Sequence, residues 1–140
     1  MTVKVNIKQL GKKRDRISGA PFVLEHDPET AEQLIREAVH TCVSQYNARV
    51  EAGESGVKPL SETDISEMSE IGKIAFGINY GNKTADETEA VAVALQAYED
   101  GLFRVFVDEE ELTELSQPLS LSEDSTLTFI RLTMLAGRMW

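Results

Sequence analysis

The spacing of apolar positions changes several times along this chain, and each change marks a different element. Residues 3–7, "VKVNI", alternate apolar and polar side chains with β-branched residues on one side, the pattern of a half-buried strand. "GKKRDRISGA" reads as a turn-rich connector. "PFVLEH" (21–26) is a second short strand opening on Pro21, which cannot donate to a sheet ladder. The period then lengthens. Ala31, Leu34, Ile35, Ala38, Val39, Cys42, Val43 and Tyr46 recur at steps of three and four, which predicts one amphipathic helix over 28–51. Asp27 is its expected cap, Pro28 its first residue and Gly53 its stop.

The middle of the chain is weaker. Residues 53–60 have the composition of a linker, and "SETDISEMSEIGKIAFG" (61–77) predicts a second helix with Ile65, Met68, Ile71, Ile74 and Ala75 on one side. "INYGNK" breaks it, and "TADETEAVAVALQAYEDG" (84–101) predicts a third, with Thr84 and Glu87 at capping-box spacing and Gly101 as its stop. After Gly101 the period falls to two. "LFRVFV" is a strand, 108–125 is a polar, turn-rich passage anchored by Leu112, Leu115, Leu119 and Leu121, and "TLTFIRLTM" is the last strand. Beyond it Leu135, Met139 and Trp140 keep the tail apolar, which predicts that it docks on the domain or on a second copy.

Read without the middle, the two ends of the chain resemble the ubiquitin-like β-grasp family. The stretch "RVFVDEEELTELSQPLSLSEDSTLTFIRL" carries the likeness: an apolar strand, a polar turn leading to a leucine, then a connector ending in "STL" and a strand closing on "RL". The amino-terminal half agrees in layout, with a hairpin, a proline-containing turn and a long amphipathic helix. The resemblance covers roughly 1–52 and 102–135 and implies an α+β fold, a β-grasp sheet packed on one long helix. The chain is then a single domain, 1–140, with an inserted helical pair at about 53–101. It also implies that Val105, Val107, Leu127 and Phe129 face the helix, while Phe106 and Ile130 fall where the family exposes its partner-binding patch. Strand alternation places Phe106, Thr128 and Ile130 outward in the same way. Phe106, Ile130, Leu132, Met134 and Trp140 are therefore the expected partner-binding residues. The insertion has no counterpart in the family, so either its helices cover this outer face or the face is open to a partner.

Charge narrows the partners. The chain has 14 basic and 24 acidic side chains, a formal charge of −10, which makes nucleic acid an unfavourable general partner. The segment 1–16 is the exception, with Lys4, Lys8, Lys12, Lys13, Arg14 and Arg16 against the single acid Asp15. Lys12, Lys13, Arg14 and Arg16 read as a solvated hairpin tip or, alternatively, as a contact for an anion, RNA or an acidic partner.

No catalytic constellation stands out. His26 and His40 have no further ligands at metal spacing, so no metal or other cofactor is expected. Cys42 lies in the apolar stripe of the long helix and reads as a packing residue. In "GINYGNKT" Asn82 separates Gly81 from Lys83, so the stretch reads as a helix corner and not a phosphate loop. The run Asp108–Glu111 reads as a solvated turn or a charged sheet edge. One cysteine allows no internal disulfide, and no apolar run is long enough for a signal or a membrane span, so a cytoplasmic protein is expected.

The function expected from these readings is a non-enzymatic protein-binding module, an adaptor or small subunit of a bacterial assembly, with homo-oligomerisation through the tail as a further possibility. Two alternatives stand beside it. One is a ubiquitin-like modifier or sulfur carrier, for which "MLAGRMW" would need trimming after Gly137 because the family's closing Gly-Gly is missing. The other is a weak RNA or nucleotide binder using the basic 12–16 loop.

Overall fold

The structure is a computed structural model and describes residues 1–9, 17–51, 76 and 86–132. Its elements are strand β1 (Thr2–Gln9), strand β2 (Ile17–Val23), helix α1 (Ala31–Glu51), helix α2 (Glu87–Glu99), and strands β3 (Phe103–Val107), β4 (Glu110–Leu112) and β5 (Thr126–Arg131). The fold is α+β. The strands form one mixed sheet in the order β2-β1-β5-β3-β4, in which β1 and β5 run parallel and every other pair is antiparallel.

Alternation within the strands decides which face is covered. Val5 pairs with Leu127, Ile7 with Phe129 and Val105 with Phe129, and all of these are buried. The intervening residues Lys4, Asn6, Lys8, Arg104, Phe106, Thr128 and Ile130 stand on the opposite face, because successive strand side chains point to opposite sides. On the inner face lies α1, with Ala31, Leu34, Ile35, Ala38, Val39, Cys42 and Val43 buried and Tyr46 partly so. This is the stripe that the three-and-four spacing predicts.

The start of α1 departs from expectation. The helix begins at Ala31, not at Pro28, and its first turn is capped from a distance. The Ala31 and Glu32 amides donate to the carbonyls of Gln117 (3.0 Å) and Leu115 (2.9 Å). The Gln33 amide donates to Thr30 Oγ1 at 3.3 Å. Asp27 therefore has no capping role; the amides that lack an intrahelical acceptor are satisfied by the β4–β5 connector. Leu115, Leu119 and Leu121 pin that connector against the core, as the sequence suggests.

Helix α2 packs beside α1 and adds Ala90, Val91, Ala94 and Ala97 to the same core cluster. Its cap is Asp86, whose side chain accepts from the Thr88 and Glu89 amides; Thr84 lies outside the described residues. At the far end Gly101 takes φ +76°, with its amide bonded to the Tyr98 carbonyl and that of Leu102 to the Ala97 carbonyl. This is the left-handed helix stop expected from the glycine. The rest of the predicted second helix lies outside the described residues, but Phe76 is placed. It is fully buried, and its ring meets Phe103 and Phe129 edge to face, with centroids 5.3 and 5.2 Å apart. Phe76 and α2 thus bring parts of the insertion to the inner face, where the sequence left the outer face open as their destination.

Two strands differ from expectation. β2 starts at Ile17 instead of Pro21 and contains a register shift opposite Val5–Ile7, where Gly19 has φ +68° and donates its amide to Asn6 Oδ1 at 2.6 Å. A positive-φ glycine at a bulge keeps the strand going through residues that look like a turn. β4 lies within the passage whose polarity predicts a turn, yet Glu110–Leu112 pair with β3 while Leu112 is buried. The turn before it is closed by Asp108, at φ +54°, whose side chain accepts from the Thr126 amide at 3.0 Å.

Phe76→Ala should cost about 3–5 kcal/mol of folding stability, the usual range for emptying a phenylalanine site in a core. Chemical denaturation of the two proteins measures it, and a loss below about 1 kcal/mol would mean that Phe76 is not part of this core.

Candidate functional site

The outer face of the sheet is the candidate site, and pairing registers lay it out row by row. Phe106 on β3 lies opposite Thr128 on β5, and Ile130 on β5 lies opposite Arg104 on β3 and beside Lys8 on β1. Phe106 and Ile130 are therefore diagonal neighbours, close enough for their side chains to meet. Both are half-buried, while Lys4, Lys8 and Arg104 are exposed. At the β4 edge Glu111 lies opposite Phe106, and its carboxylate is 3.8 Å from Arg104 Nε. At the β2 edge Val23 is exposed opposite Thr2.

The face is thus an apolar centre flanked by three cations and the acid Glu111, which pairs with one of them, on a chain whose formal charge is −10. Lys4, Lys8 and Arg104 were not singled out for this site from the sequence. The alternation that turns Phe106 outward turns Arg104 outward too, and Lys4 and Lys8 alternate with Val3, Val5 and Ile7, so the signal was present. Val23 was legible in the same way, since it alternates with Phe22 and Leu24, which are buried.

Of the other expected partner-binding residues, Leu132 is half-buried just past β5, and its amide donates to the Leu102 carbonyl at 3.0 Å. Met134 and Trp140 lie outside the described residues, as do Lys12, Lys13, Arg14 and Arg16. The structure therefore brings Phe106, Ile130 and Leu132 to one end of β5 and does not bear on the remaining six.

The two histidines sit on the opposite side, around α1. His26 Nδ1 is 3.0 Å from Glu37 Oε2, and the His26 amide donates to the same carboxylate. His40 lies between two acids, with Nε2 2.9 Å from Glu25 and Nδ1 2.9 Å from Glu87. It thereby ties the β2–α1 connection to the first residue of α2. Among the described residues no three His, Cys, Asp or Glu side chains are grouped to hold a metal ion, and no helix is long and apolar enough to cross a membrane. Cys42 is buried in the core cluster, consistent with a packing role.

Compared with protein-family models, with curated proteins and with solved structures, the chain matches none.

The His40 pair sets a pH dependence. The hydrogen bond with Glu87 is the main cause that raises the imidazole pKa above 6.5; partial burial opposes it, and the charges of Glu87 and Glu25 add to the rise. A folded value above the unfolded one gives stability that is whole below about pH 6.5 and fades as the pH rises through the folded value. The melting temperature of the wild type should therefore fall relative to that of His40→Gln between about pH 6 and about pH 8. Parallel melting curves across this range would show that His40 does not clamp α2.

Proposed function

We propose that this protein is a non-enzymatic, ubiquitin-like binding module of the β-grasp type, acting as an adaptor or small subunit through the outer face of its sheet. The sheet order supports the fold reading: a parallel central pair made by the first and last strands, a hairpin at each side, and a long helix across one face. An inserted segment contributes α2 and Phe76 to the covered side.

The observation that carries the functional reading is the diagonal Phe106–Ile130 pair on the face turned away from α1 and α2. An apolar centre with a charged rim is the arrangement by which protein surfaces combine desolvation with orientation. Lys4, Lys8 and Arg104 supply that rim with positive charge. The fitting partner is a protein segment that presents acidic side chains around an apolar anchor. Such a partner would be drawn to this face and repelled by the acidic remainder of the chain.

Phe106→Asp places a carboxylate at the centre of the face without touching the core. The variant should melt within a few degrees of the wild type and lose the partner that copurifies with the untagged wild-type protein. Lys8→Glu combined with Arg104→Glu should slow association and flatten its salt dependence. Retention of the same partner by folded Phe106→Asp would remove this face from consideration.

A further inference from the structure

The end of α2, the start of β3 and the passage after β4 enclose a second surface, an open groove of about 650 Å³. Its floor is apolar. Phe103 and Leu112 lie buried there, and half-buried Tyr98 donates its hydroxyl to the Leu112 carbonyl. Four carboxylates stand around this floor, Glu32, Glu99, Glu111 and Glu114, against one cation, Arg104. Two of the four are already matched: Glu32 holds Arg36 at 2.8 Å, and Glu111 lies 3.8 Å from Arg104 Nε. Glu99 and Glu114 are exposed and have no basic partner among the described residues.

The backbone adds to the same sign. Glu99 closes α2, whose last turn contains no basic residue, so nothing there offsets the negative end of the helix dipole. Tyr98 registers the field from inside the groove. Its pKa is raised above the ordinary value, first by burial and then by the charges of Glu111 and Glu114. The adjoining outer face has the opposite sign, since Lys4, Lys8 and Arg104 are its exposed charges. The groove is therefore locally acidic, beyond the general excess of the chain.

This combination selects the occupant. Carboxylates repel a phosphate backbone. An extended protein segment with basic side chains beside an apolar one matches both the rim and the floor, and a guanidinium or ammonium group can also lie on the Tyr98 ring. We propose that the groove receives a basic segment of a partner protein, with Lys or Arg side chains paired to Glu99 and Glu114 and an apolar side chain seated over Tyr98. The site does not depend on the role of the outer face. With it, the protein holds surfaces of opposite charge side by side, each selecting a different partner sequence.

The acetylated and amidated peptide Arg-Leu-Arg-Leu-Arg is the probe, titrated into the full-length protein at low salt. Amide resonances of Tyr98, Glu99, Thr113, Glu114 and Ser116 should shift together. Glu99→Gln with Glu114→Gln should weaken the peptide several-fold with the melting temperature almost unchanged. Glu123→Gln with Asp124→Asn makes the same charge change at the other end of β5, in the turn that leads into Thr126, and should leave the affinity nearly as it is. Replacing both leucines of the peptide by glycine should weaken it further than loss of general charge attraction allows, because the charge is unchanged. Three results would overturn the proposal: no saturable binding to the wild type, equal losses in the two double variants, or resonance shifts gathered elsewhere on the protein.

Discussion

The parallel pairing of β1 with β5 is the constraint on which the remaining structure depends. It places two sequence-distant strands at the centre of the sheet and sets Val5 against Leu127 and Ile7 against Phe129, so the buried face is continuous across the join. β3 can then add to the free side of β5, and β4 to β3, without a further crossover. The long connector that returns the chain from β4 to β5 also passes the start of α1, where the Leu115 and Gln117 carbonyls take up the helix's first amides. Sheet order and helix capping are thus linked: moving β5 out of the centre would also strip the cap from α1.

The two sheet faces divide the chemistry of the chain. One is closed by α1, α2 and Phe76, whose contact with Phe103 and Phe129 joins the insertion to the strands. The other keeps Phe106 and Ile130 among cations, while the sheet's edges discourage further pairing. On β2 this is done by Pro21 and the Gly19 bulge, and on β4 by shortness and the glutamates Glu110 and Glu111. With both edges protected, the outer face is the surface on which the proposed association rests.

Much of this was legible in the sequence where one period held over a whole element. Val3, Val5 and Ile7, the stripe from Ala31 to Val43, and Leu127 with Phe129 all occupy the positions their spacing predicts. What escaped was decided by partners distant in sequence. The cap of α1 comes from residues 115 and 117, so no local rule at Asp27 or Pro28 could locate it. Glu110–Leu112 form a strand because β3 offers an edge and Leu112 a buried anchor, although a run of acids argues locally for a turn. Phe76 sits off the apolar side of its predicted helix, and only the aromatic pocket formed by β3 and β5 explains its burial. For the candidate face, Phe106 and Ile130 were visible through alternation, and their cationic surroundings became apparent only when three strands were set side by side.

The central strand pair also has a temporal consequence. β1 leaves the ribosome well before β5, so the middle of the sheet stays vacant while everything between the two strands is made. Until then the β1–β2 hairpin holds Val3, Val5, Ile7 and Phe22 without the strand or the aromatic residues that later bury them. The sheet therefore closes late and all at once, and until β5 emerges the nascent chain carries an open apolar edge of the kind that chaperones hold.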